Sequence, residues 1–94
     1  MLNQTVLVGN LVDQPQMEGD SCYIKLAVPR SYKNENGEYE TDFIIAKLWA
    51  GVATDTCKYC SKGDLMGIRG RLESNENGLE LIADKVTFLS TNKY

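Results

Sequence analysis

The chain has 94 residues, of which 43% are apolar and 24% are charged, and these values are ordinary for one small globular domain. Ten Lys and Arg against thirteen Asp and Glu leave a net charge of −3, so nucleic-acid binding would have to depend on a local basic patch. No apolar run approaches the roughly 18 residues that cross a bilayer, and no signal-peptide pattern follows Met1, so we expect a cytoplasmic protein.

Five segments have the composition or the two-residue alternation of β-strands. They span residues 5–8, 22–28, 41–49, 65–72 and 79–89. Asn-Gly pairs within residues 34–37 and 75–78 favour tight hairpin turns. Apolar residues at near-helical spacing, followed by Lys62-Gly63 as a stop, predict a helix over residues 50–62. This order is that of the OB-fold, so we predict one all-β domain over residues 1–94, a five-stranded OB-fold barrel with one helix between strands 3 and 4.

The third predicted strand has two faces of different chemistry. One face consists of Ile44, Ala46 and Leu48, which are small or apolar and suit a barrel core. The opposite face consists of Tyr39, Thr41, Phe43, Ile45, Lys47 and Trp49, so two large aromatic residues and a lysine share it. Lys25 has the outward parity on the second strand, and the fourth strand places Arg69 and Arg71 opposite Met66, Ile68 and Leu72.

Aromatic rings beside cations on a sheet surface are typical of proteins that bind single strands. Every base can stack on a ring, and Lys and Arg contact the phosphates. The alternative interpretation is that Phe43 and Trp49 are buried by a subunit contact or under a hairpin, because aromatic residues are common in strands. The pattern alone leaves both interpretations open.

Catalysis and metal binding have little support in this sequence. The chain contains no His, the commonest general base and a frequent metal ligand. Cys57 and Cys60 form a CxxC pair late in the predicted helix, whereas redox pairs lie at helix N-termini. A structural zinc site needs four ligands, and the chain has three Cys. We therefore predict core cysteines, no cofactor and no enzymatic activity.

Short segments distributed over residues 3–89 resemble the bacterial and phage single-stranded-DNA-binding proteins. In chain order they are VLVGNL at 6–11, Pro15, LAV at 26–28, TDFI at 41–44, LW at 48–49, YCSKG at 59–63, IRGRL at 68–72 and ADKVTFL at 83–89. Each segment alone is weak, whereas the ordered set is specific.

The resemblance implies a homotetramer, arranged as a dimer of dimers, that protects and wraps single-stranded DNA during replication, recombination and repair. It implies a protein associated with the nucleoid. Matched to the family, the stacking aromatics are Tyr32, Phe43 and Trp49. The candidate phosphate contacts, taken chiefly from position and charge, are Lys25, Arg30, Lys33, Lys47, Arg69 and Arg71.

Two features depart from the family pattern. The loop at residues 73–78 is short and acidic and lacks the fourth aromatic that family members carry there. The chain ends at Tyr94, five residues past the last predicted strand, so we expect no acidic C-terminal tail for recruiting replication proteins. Together with the net charge, these departures keep open a second hypothesis, an OB-fold replication or primosome adaptor that acts mainly through protein contacts.

Overall fold

Five long strands close into a barrel in the computed structural model, which describes residues 1–49 and 58–90. The strands are β1 (Thr5–Leu11), β2 (Gln16–Glu18), β3 (Ser21–Lys33), β4 (Tyr39–Trp49), β5 (Leu65–Asn75) and β6 (Gly78–Ser90). The barrel order is β1-β5-β6-β4-β3, and β3 returns to pair with β1, while β2 adds a short edge to β3. β4 and β6 are parallel and the other pairs are antiparallel. The predicted five-stranded OB-type barrel is therefore confirmed.

Side-chain alternation along the strands places the core inside the barrel. On β3, Cys22, Ile24 and Leu26 are each at most 1% exposed, and on β4 Ala46 and Leu48 are fully buried. β5 and β6 complete this core with Met66, Ile68, Leu81 and Ala83. Because successive side chains of a strand point to opposite sides of the sheet, the residues between these core positions face outward.

Two glycines permit the close strand approaches that a small barrel requires. A Cβ on Gly70 would overlap the carbonyl oxygen of Ile82, and a Cβ on Gly9 would overlap that of Ala27. Next to Gly70 the register of β5 and β6 shifts, which leaves Asp84 as an extra residue on β6. Such a bulge bends and twists the sheet locally.

The two predicted Asn-Gly turns are both observed. In the first, the side-chain oxygen of Asn34 accepts a hydrogen bond of 2.9 Å from the backbone N–H of Asn36, and Gly37 has a φ of 76°. In the second, Asn75 accepts a bond of 2.8 Å from the N–H of Asn77. These side-chain bonds hold the turns in the conformations that the hairpins need.

Strands β3 and β4 continue past the barrel as a two-stranded arm. The arm starts after Pro29 pairs with Thr41 and ends where Lys33 pairs with Tyr39, with a register shift between the two pairs. The sequence predicted shorter strands here, because the alternation of apolar residues stops where the strands leave the core.

The predicted helix over residues 50–62 lies mostly outside the described residues; where the description resumes, Lys58 and Tyr59 have helical backbone and residues 60–62 do not. Two other details differ from the sequence-based expectation. β2 was not predicted, since three residues are too few to show a period. Leu72 is 43% exposed although Met66 and Ile68 on the same parity are buried. The pairing of β5 with β1 ends at Gly70, so among the described residues Leu72 has no paired strand on the β1 edge of β5.

Candidate nucleic-acid interface

The outward surface of β3 and β4 carries the rings that the sequence predicted for stacking. We call this surface the aromatic face; its side chains are Tyr23, Lys25, Phe43, Ile45, Lys47 and Trp49. Phe43 and Trp49 are 59% and 49% exposed, and Ile45 between them is 57% exposed. Both rings are therefore directed outward from the described chain, as the strand parity predicted.

Lysines lie over the rings of this face. The Lys47 ammonium is 4.2 Å from the centroid of the Trp49 ring and 5.8 Å from that of Tyr23. Lys25 lies 5.8 Å from the centroid of Phe43, to which it is diagonal across the strand pair. A cation within about 6 Å of a ring centroid is attracted by the ring quadrupole, by about 0.5–1 kcal/mol at exposed sites. The rings and the charges therefore form one continuous surface.

The Arg30 guanidinium is hydrogen-bonded by two carboxylates of β4. Its guanidinium donates to Asp42 at 2.9 Å and 3.1 Å and to Glu40 at 2.6 Å. The hydrogen bond with Asp42 is the main reason that the pKa of Arg30 is raised, and the same bond lowers the pKa of Asp42. A phosphate would have to compete with both carboxylates for this side chain.

Arg71 is engaged in the same way on β5. It donates to Glu73 at 2.8 Å and to Asp84 at 2.7 Å, and its pKa is raised chiefly by the bond with Glu73. Arg69 lies opposite Lys85 in the β5–β6 pair and lines a shallow surface hollow with Val6. The structure therefore places Arg69 on the side of the barrel formed by β1, β5 and β6, and does not bring it to the aromatic face.

Tyr32 and Lys33 lie on the arm, beyond the barrel part of the aromatic face. The Tyr32 ring is 63% exposed near the end of β3. Its neighbour Lys33 lies over the ring of Tyr39, 5.8 Å from the centroid. The predicted site residues of β3 and β4 thus divide into a barrel group, which contains Phe43 and Trp49, and an arm group.

A hollow beside the aromatic face was missed by the sequence reasoning. Its volume is about 250 Å³, and it is lined by Asp13, Gln14, Gln16, Tyr23, Lys25 and Ile45. The apolar Ile45 lies in the same hollow as two amide side chains, which can hydrogen-bond a base edge. Only the strand register, which places Gln16 opposite Tyr23, brings these groups together, so no local sequence signal indicates them.

The cysteines of the CxxC pair are only partly described. Cys57 lies outside the described residues, whereas Cys60 and Cys22 are buried, and Cys22 belongs to the core face of β3. Within residues 1–49 and 58–90, no three His, Cys, Asp or Glu side chains are placed to hold a metal ion. The same part of the chain contains no helix with the length and apolar character to span a membrane.

Comparison with known sequences gives one consistent result. The model of the single-strand binding protein family matches residues 2–89. Single-stranded DNA-binding protein B of Bacillus subtilis is 39% identical over 95% of this chain and 91% of its own length. Single-stranded DNA-binding protein 1 of Lactococcus lactis is 36% identical over 99% of this chain and 71% of its own length.

Solved structures with the same fold carry similar names. The small single-stranded DNA-binding protein from Streptomyces coelicolor superposes with a TM-score of 0.71 at 20% identity, over 94% of both chains. The wild-type single-stranded DNA binding protein from Thermus aquaticus superposes with a TM-score of 0.80 at 22% identity. This chain covers 52% of the Thermus aquaticus chain. At these identities the structures establish the fold and nothing finer.

Proposed function

Because the chain belongs to the single-strand binding protein family, we propose that it binds single-stranded DNA without sequence preference and without catalysis. In this proposal Phe43 and Trp49 stack on bases, and lysines of the same surface contact the phosphates. The protein would protect and wrap single strands during replication, recombination and repair, in the cytoplasm with the nucleoid.

The observation that carries the proposal is the exposure of two rings beside lysines on one sheet face. Phe43 and Trp49 are about half exposed, so each offers a ring face that a base can cover. Stacking of a base on an aromatic side chain contributes about 1–3 kcal/mol and tolerates any base. The two rings are six residues apart on β4, or about 20 Å at strand rise, which is a span of several nucleotides.

Lysines rather than arginines supply the phosphate contacts in this proposal. Lys25 and Lys47 each rest on a ring, an interaction of about 0.5–1 kcal/mol, and so can move to a phosphate at small cost. Arg30 and Arg71 each hold two carboxylates, so in this proposal we assign them a smaller share of the phosphate contacts than the lysines. Tyr32, exposed on the arm, extends the stacking surface beyond the barrel.

We also propose the homotetramer, a dimer of dimers, from the apolar surface of β1 and β6. Val6, Val8 and Leu89 are 67%, 49% and 49% exposed, and clustered apolar exposure marks interfaces. β1 pairs with β3 only through Asn10 and Leu11, so among the described residues positions 5–9 of β1 have no paired strand on that edge. A second copy that covers this edge would bury the apolar side chains.

Quenching of Trp49, the only tryptophan of the chain, tests the proposed function directly. The protein is titrated with oligo-dT at low salt, and we expect saturable quenching because a stacked base covers the indole. A duplex of the same length is the control and should quench weakly. Absence of saturable binding to oligo-dT, by fluorescence and by anisotropy of a labelled strand, would refute the proposal and favour the protein-binding adaptor.

A further inference from the structure

Tyr39 presents a third ring on the same side of β4 as Phe43 and Trp49. The three positions are separated by even numbers of residues, so their side chains share one parity of the strand. Tyr39 is 60% exposed, against 59% for Phe43. It lies four residues before Phe43, or about 14 Å along the strand. The Tyr39 ring is therefore as accessible to an unpaired base as the Phe43 ring, for which stacking is proposed.

A lysine accompanies Tyr39 as one accompanies Phe43. Lys33 is its cross-strand partner, and the Lys33 ammonium is 5.8 Å from the centroid of the Tyr39 ring. The Lys25 ammonium lies at the same 5.8 Å from Phe43. The ring and the cation on the arm therefore repeat the pair found on the barrel, which combines a stacking surface with a charge for the adjoining phosphate.

Two acidic residues that follow Tyr39 in sequence, Glu40 and Asp42, belong to the other face of β4. Glu40 and Asp42 have the opposite parity, and both accept hydrogen bonds from Arg30. Glu40 also accepts from the Asn34 amide at 3.3 Å. The arm thus keeps these carboxylates paired with a cation and away from the side on which Tyr39 lies, which limits their repulsion of a phosphate.

The turn at the end of the arm holds the Lys33–Tyr39 pair in register. The backbone N–H of Asn34 donates to the carbonyl of Glu38 at 2.8 Å, and the Asn34 side chain accepts from the Glu38 N–H at 3.0 Å. A site whose backbone is fixed before binding loses less conformational entropy when it orders a ligand. The arm is therefore suited to act as a preformed extension of the binding surface.

We infer that Tyr39 and Lys33 form an additional nucleobase site, in which the tyrosine ring stacks on an unpaired base and the lysine contacts its phosphate. This inference rests on the proposed function, because it extends the same DNA path from the barrel along the arm. Tyr39 thereby has a binding role, and Lys33 acts together with the Tyr39 ring.

Affinity measurements on two lengths of oligo-dT test this site. Tyr39→Ala should weaken binding of a strand of about 16 nucleotides by about fivefold or more, and should weaken binding of one of about 4 nucleotides much less. Tyr39→Phe keeps the ring and should retain wild-type affinity for both lengths. Equal affinity of wild type and Tyr39→Ala for the long strand would overturn the inference.

Moving the single tryptophan gives a readout that a structural role for Tyr39 would not change. In the double variant Trp49→Phe/Tyr39→Trp, saturating oligo-dT should quench the indole at position 39. The matched control is Trp49→Phe/Tyr59→Trp, because Tyr59 is 53% exposed with Lys58 at 5.6 Å from its ring but lies outside β4. Quenching at 39 no greater than at 59 would overturn the inference. If wild type fails to bind, the proposed function itself fails.

Discussion

Replacing Lys47 with Gln tests the proposed phosphate contact of this side chain separately from the proposed stacking on Trp49. In the free protein the Lys47 ammonium lies 4.2 Å from the Trp49 ring. If the Lys47 ammonium moves to a phosphate on binding, it displaces a counterion from the DNA. The glutamine side chain has no charge, so the variant releases one counterion fewer than wild type. The slope of log Kobs against log salt should then become shallower by about 0.7, the value for one contact with a single strand. Over a fourfold range of salt, this reduces the loss of affinity by about 2.6-fold.

The assay is anisotropy of labelled oligo-dT at several salt concentrations between about 50 and 200 mM. Phe43→Ala should lower affinity by about 1–3 kcal/mol at every salt concentration and leave the slope unchanged, because it removes a ring and no charge. Lys62→Gln removes an equal charge from the exposed loop before β5 and serves as the matched control. A slope for Lys47→Gln equal to that of wild type would refute a phosphate contact at this position.

Three further substitutions test the fold, the arm and the assembly. Gly70→Ala should lower the free energy of unfolding in urea by about 1–3 kcal/mol, because the new methyl overlaps a backbone carbonyl, whereas Gly67→Ala, with no contact closer than 3.7 Å, should be tolerated. Arg30 holds the pKa of Asp42 below its usual 3.8, so this stabilisation is present above that value and is lost as the pH falls through the lowered pKa. Urea midpoints measured from about pH 5 to about pH 3 should fall more steeply for wild type than for Asp42→Asn, and parallel curves would contradict this. Val6→Asp places a charge on the exposed apolar surface of β1 and should reduce the mass measured by light scattering, whereas an unchanged mass would exclude this surface as the interface.

The faces of the barrel strands could be predicted from the sequence because they depend on a period of two. Ile24 and Leu48 are buried, whereas Phe43 and Trp49 are exposed, as the alternation required. The order of the predicted strands and turns agreed with the fold class that the structure shows, whereas the helix predicted between the third and fourth strands lies mostly outside the described residues.

The partners of the arginines could not be predicted, because they depend on how strands are paired and bulged. Arg30 reaches Asp42, twelve residues away, across an arm whose register shifts between Pro29 and Lys33. Arg71 reaches Asp84 because that residue is the extra one in the β6 bulge. Charge and parity alone therefore suggested free cations where the structure has ion pairs.

The different chemistry of arginine and lysine indicates how a chain of net charge −3 could bind DNA in the proposed way. A guanidinium is a planar fork that binds carboxylates through several bonds at once, as Arg30 does with Asp42 and Glu40. An ammonium on a flexible stem binds a ring weakly and without fixed geometry, as Lys47 does with Trp49. Arg30 thus neutralises acids beside the aromatic face, while in the proposed function Lys47 leaves the Trp49 ring for a phosphate. Replacing Lys47 with Arg should therefore weaken DNA binding, because the guanidinium would stack more firmly on the Trp49 indole and compete with an incoming base.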